Sequence, residues 1–527
     1  MTPAQPELAP QAPGPAIAPA AAGAGSIALR AALLLGASFV AFILSDPWFA
    51  ILEDETTIVA LARASVRETL TAFWFGEGRH MHPPLSDLFL HAWLELGGGS
   101  SRLAMRLPSV VLFLAGLVVL GLAARRIAGN RALLITLVLG VLWPYGFHFG
   151  RLAGWYSWCF FLVAALTWSY LGCAQRLQPR RVVLFAGCAL LLVYSNYLGW
   201  AALGCLALDA ALVRRDWALT RVVAATASVL ALTYLPMWHL IAEGVERAAG
   251  SDHGSNHTAR ALNILFNFYT AFVSESIAPW TWQLSAPAFV AIVGAIGIAA
   301  WTLARGQRAF LGYFALLFMA LASIDALNTK RLLVMAPWLL LPLALAGAQP
   351  RTTRSARALA ACLALLAAIG WVGIFSRNHY AAQHFVEPWD ELAQEAAQVI
   401  RAGGVVVGNS PSFAFELNYA LARTGDVPAS AVPGWVKHPR YLHVVNWSPA
   451  AVRGRGPVHF VSGVPHSVEA ETTIAREWLQ ANCALLDERR LVRDPGYELK
   501  ARYFPRAVQP LFRVVVRQYD CTRAQAA

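Results

Sequence analysis

Long apolar runs separated by short polar gaps dominate the chain, and their length is that of bilayer-crossing helices. They lie near 27–45, 105–123, 131–147, 156–175, 182–198, 199–213, 219–238, 285–304, 309–325, 332–348 and 357–375. Spans of this kind predict a polytopic α-helical membrane protein with about eleven transmembrane helices. The intervening gaps alternate between arginine-rich and arginine-poor. Arg125, Arg126 and Arg131 share one side with Arg176, Arg180 and Arg181, with Arg214, Arg215 and Arg221, with Arg305 and Arg308, and with Arg351, Arg354 and Arg357. By the positive-inside rule that side, with the N-terminus, is cytoplasmic. The first run, 27–45, has no small-residue cleavage pattern after it and is expected to stay as an uncleaved helix.

This alternation divides the chain. Residues 1–25, rich in Ala, Pro and Gly, are expected to be a disordered cytoplasmic tail. Residues 26–377 form the transmembrane domain, with an outward loop at 46–104, a second at 239–283 and a short one around Asn328–Arg331. Within 46–104, Ile58, Leu61, Ala62 and Val66 have helical spacing and predict one helix from Glu55 to Leu70. Pro83-Pro84 can open another through 85–96, because proline fits a first helical turn. Phe73, Trp74, Phe89 and Trp93 suit helices lying in the membrane interface. Residues 378–527 read as an extracytoplasmic α/β domain: strands at 403–408, 458–463 and 511–521, with helices from Pro411 to about Ala422 and over 467–481.

Composition agrees with this division and changes it in one respect. The 527 residues are 57% hydrophobic and 14% charged, too apolar for an ordinary soluble protein. The net charge of +12 sits mostly in the gaps between runs, where it sets topology, so no nucleic-acid partner is expected. Of seven cysteines, five lie in apolar runs, where they pack as small hydrophobes. Cys483 and Cys521 fall in the outward domain and there have an oxidising compartment in which to pair.

The chemistry concentrates in 53–85. Glu53, Asp54 and Glu55 are consecutive at a helix start, directly after the first span, in a chain poor in acids. A carboxylate there can act as general base toward an attacking hydroxyl, while the plain alternative is that the acids only complement the helix dipole. His80 and His82 could join Asp54 or Glu55 around a divalent metal, but their spacing matches no closed site, and no cofactor is expected. Arg151, beside Trp155 and Tyr156, and Lys330-Arg331 in the short outward loop are cations suited to a lipid phosphate headgroup; membrane-anchoring snorkels are the alternative for each. The glycines at 403–408 do not form a dinucleotide fingerprint.

The order of span, Asp54-Glu55, helix, His82-Pro83-Pro84-Leu85, Leu103–Val111 (LAMRLPSVV) and Asn328–Leu333 (NTKRLL) resembles the lipid-linked-sugar glycosyltransferases of GT-C fold. It is most similar to the family 39-type protein mannosyltransferases and their bacterial relatives, including aminoarabinose transferases. The likeness is strongest over 45–160 and weak for the C-terminal domain. It implies an inner-membrane enzyme with a periplasmic C-terminal domain. That enzyme would move a hexosyl or pentosyl group, with inversion, from a polyprenyl-phosphate-linked sugar to a glycan, lipid or protein acceptor, with membrane lipid around it. The general base carries onto Asp54 with Glu55 as neighbour, and the lipid-phosphate contacts onto His82 and Arg331. Arg151 and Tyr156 fall where relatives carry an Arg-x-Tyr-like element, here preceded by Gly150 and followed by Leu152 and Ala153 in place of the family's Gln-Glu-Ala-Arg. Where many relatives have a second acid before the HPPL segment this chain has His80 or Met81, with Glu77 the nearest candidate. A lipid-linked-sugar transporter or flippase is the alternative; it would need ionisable groups deep in several spans, whereas most lie at span ends.

Overall fold

In a computed structural model the described residues are 24–49, 51, 53–75, 83–99, 101–237, 257–277, 281–323, 327–376, 388–427, 438–463, 468–493 and 512–523. The tail assigned to 1–25 lies outside them, apart from its last two residues. The membrane part runs α1 (Ala24–Ser45), α2 (Glu53–Ala62), α3 (Val66–Phe75), α4 (Leu85–Trp93), α5 (Arg102–Leu142), α6 (Pro144–Phe149), α7 (Trp155–Gln175), α8 (Pro179–Val193), α9 (Leu198–Leu208), α10 (Trp217–Tyr234), α11 (His257–Val273), α12 (Trp282–Thr302), α13 (Arg305–Ser323), α14 (Leu332–Met335), α15 (Pro337–Ala348) and α16 (Thr353–Ser376).

Among the described residues seven helices are long and apolar enough to cross a membrane, and α14 with α15, bent by 57°, adds an eighth. One of the seven, α5, is a hairpin. Its helical dihedrals fail at Ala128 and at Gly129 (φ +74°), the left-handed region in which glycine needs no compensation. Gly121 then faces Leu133 and Gly140 faces Leu117 closely enough that a Cβ would strike it. The two apolar runs read at 105–123 and 131–147 are the two arms, and the second ends early because Pro144 starts α6. The runs at 182–198 and 199–213 become α8 and α9, the latter continued by a π turn at Asp209–Val213; both are shorter than a usual span.

The arginine-rich turns gather at one end. Arg126, Gln175, Arg214 and Gln307 line a common cavity, and Gln307 donates to Gln349 at 3.1 Å. Buried Asp209 ties three helices together there, accepting from Tyr170 and Tyr313 and pairing with Arg214. The loop helices α2, α3 and α4 lie at the opposite end. The single helix expected over Glu55–Leu70 is two helices, because Ser65 and Glu68 form a capping box: Glu68 Oε2 accepts from the Ser65 amide at 2.7 Å, and Ser65 Oγ accepts from the Glu68 amide at 3.2 Å. Such a reciprocal cap starts α3 and stops α2.

The C-terminal part is an α/β domain: α17 (Trp389–Arg401), β1 (Val405–Gly408), α18 (Pro411–Arg423), β2 (Tyr441–His443), β3 (Val458–Ser462), α19 (Glu469–Asn482), β4 (Ala484–Arg493) and β5 (Phe512–Asp520). The sheet order is β2-β1-β3-β5-β4, parallel through β2, β1 and β3 and antiparallel at β5 and β4. Helices α17 and α18 cover one face through Trp389, Leu392, Phe413 and Leu417; α19 covers the other through Ala475 and Leu479. A Cys483–Cys521 disulfide closes the second face. Helix α18 has two apolar sides. Phe413, Leu417 and Leu421 meet the sheet, while Phe415 and Tyr419 join the core of the membrane part. The sheet domain is thereby seated beside the loop helices.

Candidate active site

Neighbouring residues on a helix point about 100° apart, so Asp54 and Glu55 at the start of α2 cannot share one environment. Glu55 turns inward and is fully buried. Arg106, in the second turn of α5, donates to it through Nε (2.9 Å) and Nη2 (2.6 Å), and the Ala153 amide donates to Oε1 at 2.9 Å. Arg106, 1% exposed, also gives Nη1 to Asp46 Oδ1 at 3.1 Å and to the Phe49 carbonyl at 2.9 Å. Arg102, one turn earlier, spans from Asp46 (3.2 Å) to Glu416 of α18 (2.6 Å). Burial pushes the Glu416 carboxyl above its usual range even though Arg102 and Arg106 pull it down.

Arg151 belongs to this cluster. It is 1% exposed, donates to Ser45 Oγ (3.1 Å) and the Phe147 carbonyl (3.3 Å), and lies over the Phe49 ring at 3.6 Å and the Phe147 ring at 4.4 Å. Asp46, Glu55 and Glu416 thus face Arg102, Arg106 and Arg151: three buried anions and three guanidiniums. Such balance is required where charge is removed from water. Arg151 is expected from the sequence to face the lipid phosphate. In the structure its guanidinium is instead enclosed among phenylalanines, within the buried charge cluster.

Asp54 turns the other way and its side chain is 43% exposed. Its Oδ2 accepts from Lys330 Nζ and, at 3.1 Å, from Tyr156 Oη in the first turn of α7. Burial raises the Asp54 pKa, but the Lys330 ammonium, the hydrogen bonds from Lys330 and Tyr156 and the nearby charge of Arg331 outweigh it and hold the carboxyl below its ordinary value. Close approach of α2 to α7 needs Gly154, whose φ is +151° and where a Cβ would come within 2.8 Å of Ile58. The Lys330 turn is fixed from three sides. Asn328 Oδ1 caps the Lys330 amide at 3.1 Å, Thr329 Oγ1 donates to Glu275, and Tyr145 Oη donates to the Thr329 carbonyl.

The structure therefore gathers four of the residues singled out in the sequence, Asp54, Tyr156, Lys330 and Arg331, and sends Glu55 and Arg151 into the buried network. His82, with His80 and Glu77, lies outside the described residues. Sequence reasoning missed Asp46, Arg102, Arg106, Glu275 and Glu416. The signal for Arg106 was present, since an arginine inside an apolar run must find an acid. Among the described residues no three His, Cys, Asp or Glu side chains are grouped to hold a metal ion.

No protein-family model matches the chain, and no curated protein matches it in sequence. Solved structures do. The crystal structure of ArnT from Cupriavidus metallidurans bound to undecaprenyl phosphate matches 94% of this chain and 98% of its own, at 14% identity and a TM-score of 0.52. The oligosaccharyltransferase AglB of Archaeoglobus fulgidus, in complex with an inhibitory peptide and a dolichol-phosphate, matches 87% of this chain and 72% of its own, at 12% identity and a TM-score of 0.43. The likeness to ArnT shows a shared GT-C fold, and at this coverage it reaches the C-terminal domain, where the sequence resemblance was weak.

Proposed function

We propose that this chain is a multi-pass membrane glycosyltransferase that moves a sugar from a polyprenyl-phosphate-linked donor to an acceptor on the far side of the membrane from its arginine-rich turns. The observation that carries the reading is a half-exposed carboxylate, Asp54, held beside Lys330 and Arg331 at the end of the apolar helices. The undecaprenyl phosphate bound by ArnT, which shares the fold, supports the class of donor. The basic turns at the opposite end and the disulfide in the C-terminal domain support a cytoplasmic N-terminus with the site and that domain outward, as in the periplasm of a bacterial inner membrane.

In the proposed step the acceptor hydroxyl or amine attacks the anomeric carbon opposite the phosphate oxygen. The new bond to carbon forms as the carbon–oxygen bond to phosphate breaks, which inverts the centre. The acceptor's proton passes to Asp54, and the electron pair leaves on the polyprenyl phosphate. That developing negative charge is met by Lys330 and Arg331, fixed cations in a partly dehydrated site, with His82 proposed from the sequence as a third contact. Lys330 has two partners in turn. In the resting state it pairs with Asp54; an arriving phosphate competes for its ammonium and leaves the carboxylate a stronger base. Glu55 supports this chemistry by anchoring α2 through Arg106.

Arg331→Ala tests the phosphate role. It is expected to raise the donor concentration needed for half-maximal transfer by about tenfold, the scale of one charge-assisted contact, with a smaller change in maximal rate. Transfer assays in proteoliposomes over a range of lipid-linked donor check this, and an unchanged donor dependence would remove Arg331 from the site.

A further inference from the structure

A groove on the flank of the helix bundle has no part in the reaction above. It lies between the second arm of α5, α15 and α16, encloses about 510 Å³ and is walled by aliphatic side chains such as Ile135, Leu139, Leu343 and Leu363. Leu142 on its lip is 50% exposed. The groove departs from uniform apolarity at one place. Arg131 and Arg357 line its end, both exposed, and among the described residues neither is paired with a carboxylate. That end is remote from Asp54. Arg131 follows the hairpin turn of α5, whereas the opposite end of the groove is closed by Trp143, Pro144 and Phe272, next to the segments that reach the Lys330 turn.

We propose that this groove is a binding site for one anionic phospholipid of the leaflet remote from Asp54, its headgroup held by Arg131 and Arg357 and one acyl chain laid along the aliphatic walls. Two observations on the groove select that occupant. From Arg131 to Leu142 the helical rise is about 16 Å, close to one leaflet's share of a hydrocarbon core of about 30 Å. The two guanidiniums sit where that leaflet's headgroups lie, and a phosphate diester is the anion available at that depth. A donor's polyprenyl chain is disfavoured by the same charges. Its phosphate belongs with Lys330 and Arg331 at the other end, so a tail descending this groove would bring hydrocarbon against the arginines. The occupied groove would brace α5, which leads into α6 with Tyr145, and α15, which follows α14 and the Lys330 turn. The exclusion of the polyprenyl tail rests on the donor site proposed above, whereas the lipid preference of the groove is measured without sugar transfer.

The test is native mass spectrometry of the full-length protein titrated with phosphatidylglycerol or phosphatidylcholine, alongside thermal melts in phosphatidylcholine nanodiscs to confirm folding. The wild type is expected to retain one phosphatidylglycerol with a preference of about tenfold over phosphatidylcholine. Arg131→Ala with Arg357→Ala is expected to abolish the preference, and Arg131→Lys with Arg357→Lys to keep most of it. Equal retention of the two lipids by the wild type overturns the proposal. So does a preference that survives the double alanine variant, or a retained polyprenyl phosphate indifferent to both arginines.

Discussion

Asp54→Asn is expected to lower sugar transfer in isolated membranes by about 10²- to 10⁴-fold, the range that a general base contributes, while leaving insertion and folding intact. The amide keeps the size of the carboxyl and still accepts from Tyr156 and Lys330, but it cannot take the acceptor's proton. Stability changes little because the Asp54 side chain is 43% exposed and its pairing with Lys330 is solvent-screened. Wild-type turnover in this variant would remove Asp54 from the base role. The pH dependence carries the same sign. A carboxyl held below its ordinary value stays ionised until pH falls through that lowered value, so Asp54 contributes no acid limb to kcat/KM between about pH 5 and 8. If bound donor phosphate draws Lys330 away, the acid limb of kcat lies at higher pH than that of kcat/KM. Coincident limbs would contradict the exchange of partners by Lys330.

Arg106→Ala is expected to have the largest effect on stability, a loss of about 3–5 kcal/mol, because it leaves Glu55 without its bidentate partner and removes one of two cations from Asp46. The variant should show a lowered melting temperature in detergent and poor recovery of monodisperse protein. Replacing both partners, Arg106→Met with Glu55→Leu, should recover part of the loss, since an apolar pair of similar volume does not leave a charge stranded. A melting temperature unchanged by Arg106→Ala would contradict the reading of this network as the anchor of α2. The contrast between adjacent acids is the informative part: loss at Asp54 appears in rate, and loss at Glu55 or Arg106 appears first in folding.

Much of the membrane part was legible because bilayer-length apolar runs and the arginine bias are strong, redundant signals. The apolar stretches became helices, and the basic turns meet at one end. What stayed hidden was local or long-range. The break between α2 and α3 was written in Ser65 and Glu68, but hydrophobic spacing through Val66 masked a capping box that stops one helix and starts the next. In the C-terminal domain, β2 is three residues long, and β4 carries Asp487, Glu488, Arg489 and Arg490 where strand residues are usually apolar, so neither has a clear period.

The site itself was half legible. Asp54, Tyr156 and the Lys330-Arg331 pair could be named because their residue types suit the chemistry, and the fold brings them together from segments far apart in the chain. Which of two adjacent acids turns outward was named only through the family resemblance, since in physical terms it depends on Arg106 lying 51 residues away from Glu55. The same holds for Arg102 and Glu416, 314 residues apart, whose contact joins the sheet domain to the loop that carries Asp54. Glu275, which holds Thr329 beside Lys330, lies in a loop with no periodic signal.

The central claim, that Asp54 takes the acceptor's proton in transfer from a lipid-linked donor, is tested most directly by measuring donor and glycosylated product together. The measurement is made in membranes that lack the protein and in the same membranes carrying wild type or Asp54→Asn. The account predicts that donor accumulates, exposed on the outer leaflet, and that product is lost both without the protein and with Asp54→Asn. Donor held on the cytoplasmic leaflet, or product restored by Asp54→Asn, would contradict it.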